Sequence, residues 1–265
     1  MLTWTLRLPR ILCLHGGGTN ARIFHAQCRI LRAQLKSTFR LIFADGSFPS
    51  PPGPDVESVY ADWGPFRSWV QISNGRLDLD LNLGSIDASI AAAVDQDDRL
   101  GATGVVVGLL GFSQGARIAA SLLLRKQQKQ KHQEITGRGD EERTVVDPCF
   151  AVLLAGRGPL LCLDPAAGTG TGGNPKINPG RQDSGSATAP APAAEEILLR
   201  LPTIHVHGLR DPGIEAHRDL LRKYCDRGST TLVEWDGDHR VPIRTKDVAA
   251  VVAQVLQLAS NVGVD

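Results

Sequence analysis

The sequence has no excess of charge of either sign: 29 Lys and Arg stand against 28 Asp and Glu, a net charge of +1. That balance excludes the basic footprint of a nucleic-acid binder and gives no attraction to an anionic membrane surface. There is no C-x-x-C pair among the five cysteines, Cys13, Cys28, Cys149, Cys162 and Cys225. An odd, unspaced set argues against a disulfide framework and a zinc ribbon, and favours a reducing, cytoplasmic setting. No apolar run approaches the roughly 18 residues that a membrane helix requires. The apolar lead-in Met1 to Leu14 is broken by Arg7, Pro9 and Arg10 and is followed by no small-residue cleavage site, so it reads as the approach to a first strand and not as a signal peptide. The final residues, Gly263-Val264-Asp265, match neither a peroxisomal nor an ER-retention tail. Aromatic residues are scarce, seven Phe, four Trp and two Tyr in the whole chain, so any place where they gather is informative.

What is present is ordinary for a globular protein: 265 residues, 42% hydrophobic and 22% charged. A chain of this size can bury about three-quarters of its surface and needs no disulfide or metal to hold it. Short apolar runs alternate with longer amphipathic ones. Strands are expected at Arg10–His15, Phe39–Ala44, Val105–Leu110, Phe150–Leu154, Thr203–Val206 and Thr231–Trp235, and helices at Ala21–Leu35, Ser85–Val94, Gln114–Leu124, Ile214–Tyr224 and Thr245–Leu258. This rhythm builds β-α-β units, hence an α/β fold on a mostly parallel central sheet. Two stretches fall outside it. Residues 127–143, rich in Lys, Gln and Glu, read as a solvated helix end and loop. In residues 165–194, 23 of 30 are Gly, Pro, Ala, Ser or Thr and the only large aliphatic is Ile177, so the segment cannot offset its ordering entropy and is expected to be disordered. The rhythm resumes after it, which makes it an insertion in a single domain spanning residues 1–265.

The strongest chemical signal is Gly111-Phe-Ser113-Gln-Gly115, placed between an apolar strand and the start of a helix. G-x-S-x-G in that context is a nucleophile elbow: small residues on either side let a tight turn lift the serine hydroxyl above the sheet, and the helix N-terminus behind it favours a developing oxyanion. A serine nucleophile needs a base, and the base an orienting acid. His239, in Asp236-Gly-Asp-His239-Arg-Val-Pro242, lies just beyond a strand end and is the last of the seven histidines in the chain. Asp211, in Thr203-Ile-His-Val-His-Gly-Leu-Arg-Asp211, follows an earlier strand and a glycine turn. Asp236 and Asp238 compete for the role of acid, but they are too near His239 in sequence to reach its far ring nitrogen from a separate loop. For the oxyanion, one backbone N–H is expected from Gln114 and a second from the loop His15-Gly-Gly-Gly-Thr-Asn20, with Gly17 preferred and Gly18 its neighbouring alternative. A phosphate-binding reading of those glycines lacks both the Lys-Ser/Thr ending and the G-x-G-x-x-G spacing. His205 and His207 alternate with apolar residues and have no acidic cluster beside them, so they read as core histidines; no metal or cofactor is expected.

These residues carry a resemblance. Ile11-Leu-Cys-Leu-His-Gly-Gly-Gly-Thr-Asn20, Gly111-Phe-Ser-Gln-Gly-Ala-Arg117, Val206-His-Gly-Leu-Arg-Asp211 and Gly237-Asp-His-Arg-Val-Pro242 look like the fungal serine hydrolase family, which is similar to the ovarian-cancer-gene-2 hydrolases. The glycine loop and the elbow most resemble its biosynthetic branch, to which thioesterases of lovastatin-type polyketide pathways belong. The resemblance spans Arg10 to about Leu258, and the family lacks an insertion as long as 165–194. It implies an α/β-hydrolase fold with helices on both faces and no large lid, and the triad Ser113, Asp211 and His239. It further implies release of a polyketide acyl chain from an acyl carrier protein in secondary metabolism. The loop Gly46 to Val70 concentrates Phe48, Tyr60, Trp63, Phe66 and Trp69; in the family this region lines the acyl site, so Trp63, Phe66 and Trp69 are expected to bind substrate, against a satellite core under a long loop. The competing functions are a small-molecule carboxylesterase with no carrier partner and a non-catalytic binding protein on a hydrolase fold.

Overall fold

The structure is a computed structural model that describes residues 3–54, 56–73, 76–77, 79–137, 145–161, 163 and 198–264. The expected insertion at 165–194 lies outside them, as do residues 138–143 of the hydrophilic stretch. In chain order the elements are β1 (Arg10–Leu14), α1 (Ala21–Gln27), α2 (Arg29–Leu35), β2 (Arg40–Ala44), β3 (Phe48–Pro49), α3 (Glu57–Tyr60), β4 (Arg67–Ser68), β5 (Ile72–Ser73), β6 (Arg76–Leu77), α4 (Leu79–Arg99), β7 (Val106–Phe112), α5 (Gln114–Thr136), β8 (Val146–Leu154), β9 (Thr203–Gly208), α6 (Ile214–Tyr224), β10 (Thr230–Trp235) and α7 (Thr245–Asn261).

Six strands form the central sheet in the order β10-β9-β8-β7-β1-β2, and every neighbouring pair is parallel. A parallel sheet covered on both faces needs apolar side chains on both, which is why its strands read as continuous apolar runs. In β1 Leu12 and Leu14 face one cluster with Ile86 and Ile90 of α4, Ala119 and Leu123 of α5 and Leu220 of α6. Ile11 and Cys13 face the other, with Phe24 of α1, Leu31 and Leu35 of α2 and Val248, Val251, Val252 and Val255 of α7. The α7 set recurs at three- and four-residue spacing, one stripe of a helix. The chain runs outward from β1 to β2 and then returns to lay β7 on the other side of β1. The loops after β1 and β7 therefore part company side by side, and a crevice opens between them at the carboxyl ends of the strands.

Two local outcomes differ from the sequence reading, and a third, the solvated end of α5, agrees with it. The helix expected over Ala21–Leu35 is two helices divided at Cys28, whose ψ of 11° ends the first; no Gly or Pro marks the break. Helix α4 is far longer than the stretch Ser85–Val94 that its apolar spacing reveals. Helix α5 continues through 127–136, because a solvated helix needs no apolar stripe once its first three turns are anchored, and ends at Gly137 in the left-handed conformation. Among the described residues no helix is long and apolar enough to cross a membrane, and Cys13, Cys28, Cys149 and Cys225 are free thiols.

One ion-pair cluster holds the lower edge of the sheet. Parallel pairing sets Arg10 of β1 beside Arg40 of β2, and Arg10 is 1% exposed. The C-terminal turn of α4 supplies the counter-charges. Asp97 accepts from Arg40 Nε at 2.8 and 2.9 Å and lies 3.5 Å from Arg10 Nη1, while Asp98 accepts from Arg10 Nη1 at 2.5 Å. Removing one partner of a buried pair strands the other's charge. Asp97→Ala is therefore expected to lower the unfolding free energy by about 3–5 kcal/mol in urea titration, whereas Asp87→Ala, which breaks the exposed pair with Arg125, should cost under about 1 kcal/mol.

Candidate active site

Ser113 stands between β7 and α5 at φ 51° and ψ −109°, a conformation that L residues rarely adopt. The packing around it imposes that turn. A Cβ at Gly115 would lie 2.1 Å from the Leu14 carbonyl oxygen, and one at Gly111 would lie 2.3 Å from the Gly115 carbonyl oxygen. Glycine at both positions lets α5 start almost in contact with the end of β1. The Ser113 amide donates to the Leu154 carbonyl at 2.9 Å, tying the turn to the end of β8. The hydroxyl thus sits at the positive end of a long helix, where developing negative charge is favoured.

The structure brings Ser113, His239 and Asp211 together from three separate loops. His239 Nε2 lies 3.0 Å from Ser113 Oγ, and its Nδ1 lies 2.6 Å from Asp211 Oδ2. Asp211 is fully buried, and its other oxygen accepts from the Gly213 amide at 2.7 Å, just ahead of α6. The loops that carry acid and base are fastened to each other: the Leu209 amide donates to Trp235 O at 2.9 Å and the Arg210 amide to Gly237 O at 2.8 Å. Burial pushes the Asp211 carboxyl up, but the Gly213 amide and the His239 ring outweigh it and hold it below the usual carboxylate range. Asp236 and Asp238, the rival acids, point outward in exposed pairs with Arg210 and Arg240.

The glycine loop is held at its base by His15, fully buried and kept neutral because burial lowers its pKa. Its Nε2 accepts from the Gly46 amide at 2.8 Å. The Gly18 amide donates to Arg67 O at 2.9 Å, which removes it from the choice of oxyanion donor. Gly17 borders the cavity over Ser113. The Gln114 side chain is an anchor that the sequence did not reveal: Oε1 accepts from the Trp69 amide at 2.8 Å, and Nε2 donates to Ser68 Oγ at 3.0 Å. As the first residue of α5, Gln114 has no intrahelical acceptor for its own amide.

A cavity of about 750 Å³ opens over Ser113 and His239. Its apolar wall comes from Val56, Val59, Tyr60, Phe112, Trp235 and Val241. Trp63, Phe66 and Trp69, expected to line an acyl pocket, are not part of that wall. Trp69 is 1% exposed and belongs to the core, with its indole N–H donating to His15 O at 2.8 Å. Trp63 is half-buried against Tyr60, with the Arg22 guanidinium over its ring at 4.1 Å, and Phe66 lies beside the cis Gly64-Pro65 bond, away from the cavity. The correction has a plain reason. The aromatic loop must cover the glycine loop, and the indole is the group large enough to fill that gap and satisfy a buried carbonyl. Tyr60 alone of the cluster reaches the cavity.

Sequence spacing gave no sign of His217. It lies on the buried face of α6, its Nε2 3.6 Å from Asp211 Oδ2, and neither ring nitrogen has a hydrogen-bond partner among the described residues. His205, His207, His217 and His239 form a row with successive ring centroids 5.9, 5.6 and 5.8 Å apart. His205 and His207 are core residues, each 1% exposed. Asp211, His217 and His239 are the one trio of metal-capable side chains among the described residues. Their 2.6 Å hydrogen bond occupies the facing atoms and leaves too little room for an ion with bonds of about 2 Å to each.

The family description "Serine hydrolase (FSH1)" matches residues 5–251. The chain is 52% identical to the esterase pigG of Monascus ruber, over 98% of this chain and 94% of that protein. It is 55% identical to the probable esterase afoC of Emericella nidulans, over 96% and 91%, and 50% identical to the esterase dbaE of the same organism, over 98% and 94%.

Two expectations follow from the site. Trp69→Ala should lower stability by about 3–5 kcal/mol in denaturant, with the ratio of rates on long- and short-chain esters conserved, since the ring does not face the cavity. The second concerns acid. Burial holds the folded-state pKa of His205 at about 3 and those of His207 and His217 at about 4. Between about pH 6.5 and 4 the unfolded chain takes up protons that the folded chain refuses. The melting temperature should therefore be highest above about pH 6.5 and fall through that window, and it should go on falling below it, where Asp211, held below the usual carboxylate range, also takes up its proton. A His217→Phe variant should show a shallower fall in the same scan.

Proposed function

The chain belongs to the FSH1 serine hydrolase family and is a serine esterase, and on that premise we propose that it cleaves acyl thioesters or esters through a Ser113 acyl-enzyme, with polyketide chains on a carrier protein as its substrates. The observation that carries the reading is the unbroken relay from buried Asp211 through His239 to Ser113, at 2.6 and 3.0 Å, opening on a cavity with an apolar wall.

In this reading Ser113 Oγ attacks the acyl carbonyl while His239 Nε2 takes its proton. Asp211 holds the Nδ1–H tautomer and stabilises the imidazolium that forms. The amides of Gly17, which borders the cavity, and of Gln114, the residue after the nucleophile, receive the oxyanion. The imidazolium then protonates the departing thiolate or alkoxide, leaving the acyl group on Ser113. A water molecule, deprotonated by His239, attacks that ester and releases the carboxylic acid and the free serine. Val56, Val59, Tyr60 and Trp235 offer an acyl chain an apolar surface, worth about 0.8 kcal/mol per methylene buried. The cavity volume falls within the range of about 300–1,000 Å³ that suits a bulky ligand better than an acetyl group.

Ser113→Ala should lower kcat by about 10⁴–10⁶ with an unchanged melting temperature. Asp211→Asn should be nearly as damaging, whereas Asp236→Asn should stay within a fewfold of wild type, because Asp236 faces solvent. For the leaving group, the same acyl chain is presented as a carrier-protein thioester, as a small-thiol thioester and as an aryl ester. The highest kcat/KM on the carrier-bound form supports chain release. Equal or better turnover of the free aryl ester would instead make this a carrier-independent carboxylesterase.

A further inference from the structure

The chain as a whole is electrically balanced, yet the cavity over Ser113 is not. Its charged lining consists of five arginines, Arg29, Arg157, Arg210, Arg240 and Arg244, and two aspartates, Asp236 and Asp238. Arg210 Nε lies 3.1 Å from Asp236 and Arg240 Nε lies 3.4 Å from Asp238, which accounts for both carboxylates. Arg29 and Arg244 have no ion-pair partner among the described residues. Arg157 reaches Asp211 only at 4.0 Å, and that carboxylate already accepts from His239 and the Gly213 amide. The Arg157 guanidinium also lies against the turn that precedes α6, where a Cβ at Gly213 would come 2.2 Å from its Nη2.

These three arginines come from distant parts of the chain, at the start of α2, after β8 and just before α7, and meet around one opening. Unpaired surface arginines repel one another. Their convergence on a concave site, where low-dielectric walls focus the field, lowers the energy of an anion placed there. The planar fork of a guanidinium matches a carboxylate or a phosphate with two parallel N–H···O bonds. Val56, Val59 and Tyr60 give the same cavity an apolar part.

We propose that the enzyme acts on esters or thioesters whose substrate carries a second, anionic group, a carboxylate or phosphate, which Arg29, Arg157 and Arg244 hold while the scissile carbonyl sits at Ser113. This rests on the serine esterase reading above and names its substrate class. The anion has two possible sources, a carboxylate on the acyl chain or a phosphate on the leaving group.

The test uses matched pairs. For the acyl side, the p-nitrophenyl monoester of suberic acid is compared with the same compound capped as its methyl ester. For the leaving-group side, octanoyl-pantetheine is compared with octanoyl-4′-phosphopantetheine. The readout is the ratio of kcat/KM, anionic over neutral, in wild type and in Arg29→Gln and Arg244→Gln, at about 0.02 M and about 0.3 M salt. At least one pair should favour the anion by about tenfold at low salt, and the pair that does so identifies the source. That ratio should fall toward one at high salt and in the double variant. Ratios at or below one for both pairs, or a preference indifferent to both arginines, would overturn the inference. Turnover of the neutral esters, and its loss in Ser113→Ala, reports separately on the hydrolase reading. Hydrolysis of neutral substrates with no anion preference sinks this inference alone, whereas no Ser113-dependent hydrolysis of any substrate sinks both.

Discussion

The near-contact of α5 with the end of β1 governs this molecule. Gly115 has almost no space between its Cα and the Leu14 carbonyl, and Gly111 is equally crowded by Gly115. Because the helix begins that close to the sheet, the residue between β7 and α5 must take a left-handed turn. Ser113 occupies that position, so its hydroxyl stands clear of the sheet at a helix N-terminus. The same contact brings the glycine loop after β1 beside the serine, and the crevice between the two loops becomes the site. The strain at Ser113 is local and is maintained by the packing of the whole sheet, in keeping with the placement of strained residues at reactive centres.

The remaining groups are placed by hydrogen bonds between loops and not by the loops' own rigidity. The Asp211 and His239 loops share two backbone bonds, which fix Asp211 and His239 against each other. On the other side of the crevice, Trp69 fastens the aromatic loop to His15 and Gln114. That makes the indole a support for the reacting residues rather than a surface for the substrate. Electrostatically the site is layered. A buried carboxylate lies beside His217, whose pKa burial lowers, a relay leads outward to the hydroxyl, and arginines contribute to the cavity lining. A carboxylate in such surroundings stays ionised because of two donors, the Gly213 N–H just ahead of α6 and the His239 Nδ1–H from the loop after β10.

Much of this was legible in the order of residues. The alternation of apolar runs and amphipathic stretches marks the six strands and the helices between them, because burial on both faces demands it locally. The G-x-S-x-G turn, the late histidine and the post-strand aspartate each carry a local signature, since the geometry of each depends on its own flanking turn. Helix α4 was underestimated for the complementary reason: its polar turns rest on helix continuity, and periodicity registers only the apolar face.

What the sequence could not determine is which side chains meet across the fold. Aromatic content alone does not say whether a ring faces a cavity or fills a gap, and Trp69 fills one because the glycine loop above it leaves a carbonyl that needs a buried donor. The division of the first helix at Cys28, the approach of His217 to Asp211 and the bond from the Gly18 amide to Arg67 O carry no signature in residue spacing. The arginines at the mouth are the clearest case. They are scattered through a chain of balanced charge, and only the tertiary fold brings the start of α2, the segment after β8 and the turn before α7 to a single cavity. Local propensity and periodicity fix the elements; long-range packing and hydrogen bonding determine what those elements hold between them.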